Sequence, residues 1–451
     1  MDLFLSLTGF IGLGLIVFLL LKDKTTPALA FIMVSVAVAA MLYILDFCGL
    51  GVGKALGVKG DVITLKVLSG FVKDGVKSVV NTAALFVFSI LFFSILGATG
   101  FFNKIINYLL SKISANIYHI TILTAIIAVL GHLDGSGAST FLIVIPAMLP
   151  IYERLGMRKS SLMLISVAAM GVMNVLPWGG PTLRAAGIIE MDANELWHRL
   201  MPMQGLGLML VLALAIWVGH QEKQLGAGGN LTGVKLSIEK GEFHNEKYFW
   251  LNLIILIIVL AFLVEGTLPS YLCFMIGVGI ALPLNYPDLK IAKKVVDTAS
   301  PGAIMMYMTL IGAGILIGIF DKSGIMNKMG ASILQFVPDS LGFLIPLMIG
   351  VLAVPMALIF CTDSYFYGVM PIVLSVTKAF GIDPVNIAII MVVARNCATF
   401  ISPVVPATLL GCGLADVSIK DHIKRSFFYI WGISIICLFF GYVTGIIPQL
   451  F

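Results

Sequence analysis

Residues Gly131-His132-Leu133-Asp134-Gly135-Ser136-Gly137-Ala138-Ser139-Thr140 interrupt an otherwise apolar run covering 117–152. Glycines, hydroxyls and a carboxylate in such a run free backbone groups that lipid cannot satisfy. They are tolerated at membrane depth only where they are buried in protein or line a cavity. Each flank is shorter than the roughly 20 residues that a crossing helix needs. The pattern therefore predicts a re-entrant hairpin with its tip inside the bilayer. A second interruption, Cys361-Thr362-Asp363-Ser364-Tyr365-Phe366-Tyr367-Gly368, divides the apolar run 340–378 in the same way.

The rest of the chain agrees with a lipid solvent. Of 451 residues, 59% are hydrophobic and 11% charged, with a mean hydropathy of +1.06. Globular proteins carry about 25% charged residues, and a soluble surface built from so few charges would expose large apolar patches. This excludes a soluble enzyme, a secreted disulfide scaffold and a nucleic-acid binder. The composition predicts an all-α polytopic membrane protein. Crossing helices are expected at 3–21, 27–46, 80–99, 160–183, 202–218, 248–264, 268–285, 301–320, 386–410 and 426–447. The first run lacks a basic leader and a cleavage site, so it reads as a retained span. Segments 62–78, 101–115 and 287–298 mix lysines with apolar residues and read as interfacial amphipathic helices. The six cysteines form no CxxC pair and read as small core hydrophobes. Gly49-Leu50-Gly51-Val52-Gly53-Lys54-Ala55 lacks phosphate-loop spacing, so energy would come from an ion or substrate gradient.

The one long polar connection, 220–247, is rich in Lys, Glu and Gly and reads as a solvated linker between two halves, 1–219 and 248–451. The triplet Asn230-Leu231-Thr232 carries no weight as a glycosylation signal. With ten crossings and two hairpins, 17 of the 28 basic residues fall on one side and nine on the other. Positive charge accumulates in the cytoplasm, which puts both termini outside and the linker inside.

The halves also align. Pro177, Thr182, Leu183, Gly187 and Arg199 pair with Pro403, Thr408, Leu409, Gly413 and Arg425 at a constant offset of 226, as do the acids Glu190 and Asp416. Upstream, Pro146, Leu149 and Gly156 pair with Pro371, Leu374 and Gly381 at 225, and Gly100 with Gly324 at 224. Five crossings per half make the copies inverted. Inverted repeats with broken helices at the midplane are the build of secondary transporters. A channel, which also uses re-entrant loops, is the main competitor.

Ionisable groups within spans mark functional sites. Asp134 and Asp363 occupy the two hairpin tips, with Ser136, Ser139, Thr140, Thr362 and Ser364 beside them. Carboxylate and hydroxyl oxygens suit a proton or a hard cation such as Na⁺, Mg²⁺ or Ca²⁺. Capping of the second hairpin helix is the competing role for Asp134. After each hairpin a span breaks. The first break reads Asn174-Val175-Leu176-Pro177-Trp178-Gly179-Gly180-Pro181-Thr182 and leads to Arg184. The second runs from Arg395-Asn396 through Ser402-Pro403 to Thr408. Half-helix N-termini here suit an anion, and the two arginines suit carboxylates. The competing roles are snorkelling for Arg184 and pairing with an acid such as Asp363 for Arg395. His132 is a candidate proton-linked group or a local hydrogen-bond partner.

His132-Leu133-Asp134-Gly135, Leu149-Pro150-Ile151-Tyr152-Glu153-Arg154-Leu155-Gly156-Met157 and the Asn174–Thr182 break resemble the citrate–divalent metal:proton symporter family of the ion transporter superfamily. Asp363–Gly368, Ser402-Pro403-Val404-Val405-Pro406 and Asp421-His422 agree less literally. The resemblance implies an elevator-type carrier that is no enzyme and binds no tight cofactor. It would take up citrate or a related organic anion with protons and a divalent metal, as a homodimer in the cytoplasmic membrane. It also implies substrate contacts at Gly135, Ser136, Gly137, Ser139, Thr140, Asn174, Pro177, Trp178, Gly179, Gly180, Thr182, Thr362, Ser364, Tyr365, Ser402 and Pro403, to which the reading of the breaks adds Arg184, Arg395, Asn396 and Thr408. Metal or proton would be handled by Asp134, Asp363 and His132. Two departures stand out. Ser136-Gly137-Ala138 lacks the family's second acid after Asp-Gly, and Cys361-Thr362 replaces Ser-Pro before Asp363. Gluconate, lactate or dicarboxylate transport, or sodium/proton exchange, remains the alternative.

Overall fold

The computed structural model describes residues 1–22, 24–58, 60–112, 116–230, 242–334, 342 and 344–448, and no strand occurs among them. Outside the described residues lie Lys59, 113–115, linker residues 231–241 (which hold Lys235, Lys240 and most of the glycosylation triplet), and 340, 341 and 343 of the second hairpin. The first half comprises α1 (Asp2–Leu21), α2 (Pro27–Phe47), the single turn α3 (Val52–Ala55), α4 (Leu65–Ala98) and α5 (Phe101–Ser111). It continues with α6 (Ile117–Gly131), α7 (Gly137–Arg154), α8 (Lys159–Met173), α9 (Gly180–Ile188) and α10 (Ala193–Gln224). A closely similar succession follows: α11 (Phe249–Glu265), α12 (Ser270–Asn285), α13 (Leu289–Ile317), α14 (Ile325–Leu334), α15 (Ile345–Ala357), α16 (Met370–Ala379), α17 (Pro384–Asn396), α18 (Pro406–Ala415) and α19 (Ile419–Val443).

Residues paired by the sequence offset adopt the same special backbone. Glu190 and Asp416, at the ends of α9 and α18, are both left-handed, at φ 57° and 52°. Gly100 and Gly324 sit at φ 81° and 89°, Gly156 and Gly381 at 66° and 73°. Helix starts agree too. Thr64 and Asp288 cap α4 and α13 with side-chain oxygens, and Asp192 and Ser418 do so for α10 and α19.

Seven helical segments among the described residues are long and apolar enough to cross a membrane: α1, α2, α4, Ile117–Asp134, α10, α13 and α19. Six of these coincide with expected crossings. Ile117–Asp134, expected to be too short to cross, is 18 residues long and apolar enough to do so. It is nevertheless one arm of a hairpin. A Cβ on Gly131 would lie 3.5 Å from Thr140 and 3.9 Å from Val144, so the chain reverses at the tip. The expected crossings α11 and α12 have only 17 and 16 residues, and the other two are broken, at α8–α9 and α17–α18.

Two expectations need correction. Segments 62–78 and 287–298 are not separate interfacial helices. From Leu65 and Leu289 they run on without interruption into α4 and α13. Lys66 and Lys290 lie in the first turn of each, and α13 continues even through Pro301. By contrast 101–115 contains a distinct short helix, α5, which buries Phe101, Phe102, Ile106 and Leu110 along one stripe.

The long helices α4 and α13 pack through glycines. A Cβ on Gly75 would overlap the Gly314 carbonyl, one on Gly318 would overlap the Phe71 carbonyl, and one on Gly314 would lie 2.8 Å from the Gly75 oxygen. The start of α4 thus meets the end of α13, and the two run antiparallel. Small residues at four-residue spacing let backbones approach closely where the hydrophobic effect cannot drive association. Cross-element contacts sort the loops onto two ends. Asp2–Lys328, Glu190–Lys322 and Lys378–Asn327 mark one end. Lys104–Glu246, Arg158–Glu222 and Lys159–Asp416 mark the other.

Gly75→Leu is expected to abolish recovery of monodisperse protein in detergent gel filtration. Gly70→Leu on the same helix, where a Cβ meets open space, should leave it unchanged. Equal recovery of both would refute the glycine seam.

Candidate functional site

The first tip is shaped by its own residues. Gly135 is left-handed at φ 71°, and a Cβ there would sit 3.5 Å from the Trp178 carbonyl oxygen. Ser136 caps α7 by accepting from Ser139 N at 3.3 Å, and the Ser139 hydroxyl donates to Ser136 Oγ at 3.0 Å. Asp134 Oδ1 accepts from Ser136 N at 2.8 Å, which gives it part of the capping role considered for it. Thr140 donates to Ser136 O at 2.7 Å and shares a 2.8 Å contact with His132 Nδ1, so the buried His132 has a local partner.

This tip is wedged between the two breaks. Trp178 Nε1 donates to Leu133 O at 2.7 Å. On the other side, a Cβ on Gly137 would overlap the Phe400 ring and lie 3.1 Å from Ala407. Phe400 meets the His132 ring edge to face at 5.2 Å. Gly411 receives Phe141 in the same fashion, which seats α7 on α18.

The breaks cross each other. Asn396 Nδ2 donates to Asn174 O at 3.2 Å, and Asn174 Nδ2 donates to Thr399 Oγ1 at 3.4 Å. A Cβ on Gly171 would come 2.6 Å from the Cys397 carbonyl. Each break restarts as a half-helix whose N-terminus has no side-chain cap and carries proline in its first turn, Pro181 in α9 and Pro406 in α18. Pro177 and Gly179 are buried in the first break, Gly180 and Pro403 are half-buried, and Thr182 Oγ1 donates to Val175 O at 2.9 Å.

The second tip is a π-helical stretch, Ser364–Val369, preceded by Asp363. Thr362 is half-buried there, and Ser364 Oγ contacts Cys361 Sγ at 3.1 Å. Arg184 Nε donates to Asp363 Oδ1 at 2.7 Å. This revises both competing roles proposed for the arginines. Arg184 does not snorkel, being 8% exposed and ion-paired, and Asp363 pairs with Arg184 and not with Arg395. Arg395, fully buried, donates to Thr399 Oγ1 at 3.1 Å and Phe360 O at 3.3 Å, with the Tyr365 ring 5.7 Å from its guanidinium. Among the described residues neither Asp134 nor Arg395 forms an ion pair. Arg395 Nε, Asn396 Oδ1, Tyr365 OH, Tyr367 OH, Ser402 Oγ and Thr408 Oγ1 are buried without a hydrogen-bond partner.

The four interrupted segments therefore form one connected cluster. Sequence reasoning missed Thr399 and Phe400, which join the parts. Thr399 lies one helical turn after Arg395, a spacing that places both on one face. Tyr367 was missed as well. It lines a cavity of about 210 Å³ shared with Glu190, Asp321 and Lys378 at the Asp2–Lys328 end.

Removing one partner of a buried ion pair leaves an uncompensated charge, at a cost of about 3–5 kcal/mol. Arg184→Gln and Asp363→Asn are each expected to lower the melting temperature of the purified protein, and the double variant should recover most of the loss. Additive losses would show that the pair does not couple.

The citrate transporter family profile matches residues 15–297. A Bacillus subtilis (strain 168) protein named citrate transporter is 29% identical over 444 residues, covering 98% of this chain and 99% of its own. The Mg(2+)/citrate complex secondary transporter of the same organism is 33% identical over 357 residues, covering 78% and 82%. Among solved structures, the Alcanivorax borkumensis YdaH transporter, whose crystal structure is described as having an unusual topology, superposes with a TM-score of 0.60. That match has 15% identity and covers 94% of this chain and all of that one. By the span of the profile and the identity to its relatives, this multi-pass membrane protein belongs to the citrate transporter family.

Proposed function

We propose that the protein is a secondary carrier that brings citrate across the cytoplasmic membrane as a complex with a divalent cation, driven by protons. The observation that carries this reading is the meeting of both hairpin tips with both breaks in one cluster, whose first tip bears Asp134, a carboxylate with no cation partner among the described residues. Asp134 with the hydroxyls of Ser136 and Ser139 offers oxygen ligands to a hard cation or a site for a proton. Among the described residues no three His, Cys, Asp or Glu side chains come together. A cation beside Asp134 would thus take its remaining oxygens from citrate, as cargo travelling in the same complex. The uncapped N-termini of α9 and α18 present backbone N–H groups to the anion.

The mechanism follows from the build. Residues 1–219 and 248–451 act as two inverted repeats joined by the cytoplasmic linker 220–247. The antiparallel α4 and α13 and the shared backbone at repeat-related positions support this. The hairpins and broken helices move together as one body against the α1–α2, α4 and α11–α13 frame, carrying the site from one end to the other. The excess of basic residues on the linker side supports external termini.

Counterflow of labelled citrate into proteoliposomes tests the reading. Uptake should saturate, rise several-fold with Mg²⁺ or Ca²⁺ over chelator, and rise again with an acidic exterior. Asp134→Asn should remove the metal or the proton dependence. No uptake under any metal condition would sink the citrate assignment, and unsaturable currents would point to a channel.

A further inference from the structure

The two breaks occupy equivalent places in the halves, yet their polar groups are satisfied differently. In the first, Thr182 and Trp178 donate to backbone carbonyls at 2.9 and 2.7 Å, and Arg184 is held by Asp363 at 2.7 Å. In the second, Arg395 reaches only neutral oxygens, and its Nε has no partner. The hydroxyls of Tyr365, Ser402 and Thr408, all buried on the same break or the tip packed against it, are also unpartnered. A guanidinium stays protonated in a protein. Buried without a counter-charge it costs several kcal/mol. What this group of donors lacks is one negative charge with acceptor oxygens.

We propose that Arg395, with the hydroxyls of Tyr365, Ser402 and Thr408, is the subsite for one carboxylate of the transported anion, and that Arg184 is no substrate ligand but fastens the second hairpin to α9 through Asp363. The inference rests on the citrate reading and deepens it by dividing the site. The cation lies toward Asp134 on the first tip, and a free carboxylate lies toward Arg395 on the second break. Phe400 meets the His132 ring edge to face at 5.2 Å on the first-tip side, and Arg395 stands on α17, the helix that leads into the second break. The open edge of the guanidinium at Nε suits a bidentate contact that lysine cannot reproduce.

The test compares citrate with an analogue carrying a carboxamide in place of one carboxylate, as competitors of labelled-citrate counterflow. A charge-assisted contact is worth about 1.5–3 kcal/mol, so the wild type should favour citrate by about 30-fold. In Arg395→Gln one carboxylate becomes spare, and the preference should fall to within about 3-fold because the two deletions remove the same contact. The double variant Arg184→Gln/Asp363→Asn should keep the wild-type preference. If Arg395→Gln is not recovered folded, Arg395→Lys should lower the preference by about 10-fold through loss of the fork. An undiminished preference in folded Arg395→Gln, or in Arg395→Lys, would overturn the subsite. So would its collapse in the double variant. Failure of the wild type to exchange citrate at all would instead overturn the citrate reading.

Discussion

A helix that stops inside a bilayer frees backbone groups that lipid cannot satisfy, and each costs several kcal/mol if left alone. Among the described residues four such interruptions occur, and each draws on another for part of its repair. The carbonyl of Asn174 is satisfied by the side chain of Asn396 from the opposite break. The carbonyl of Leu133 is satisfied by Trp178, and that of Phe360 by Arg395. Hairpins and breaks must therefore be assembled together. Their convergence is the physical condition under which any one of them can sit at membrane depth.

The frame that surrounds them obeys a different rule. Where α4 meets the end of α13 and the turn after it, Gly75, Gly314 and Gly318 bring the backbones into contact, with the Val79 side chain packed against Gly314. This seam joins the two helices and fixes them antiparallel. The same chain thus uses two kinds of cohesion: close backbone packing in the frame and shared hydrogen bonds in the cluster.

Much of this was legible in the sequence, for reasons that differ by feature. Polar tips in apolar runs, such as Asp134 to Thr140, announce themselves because few roles tolerate them. The offset from Glu190 to Asp416 picks out residues whose backbone is special, and both adopt the left-handed conformation. Where the long helices begin was not legible. The lysines of 62–78 and 287–298 read as an interface, whereas they decorate uninterrupted helices. Partner choice was not legible either. Asp363 lies closer in sequence to Arg395 than to Arg184, yet it pairs with Arg184 across 179 residues. Only the packing of the second tip on α9 decides that.

Positions related by the sequence offset share backbone conformation, and with it an approximate symmetry between the halves. That symmetry is kept at the level of helices and broken at the level of side chains. The helices keep it here, in paired caps and paired left-handed residues. The side chains break it. At the repeat position of Arg184, α18 carries Leu410, and at that of Arg395, α8 carries Met170. Each half contributes one buried arginine, at unrelated levels. One is neutralised within the protein and the other is not, so the cluster has a chemical polarity that its fold does not.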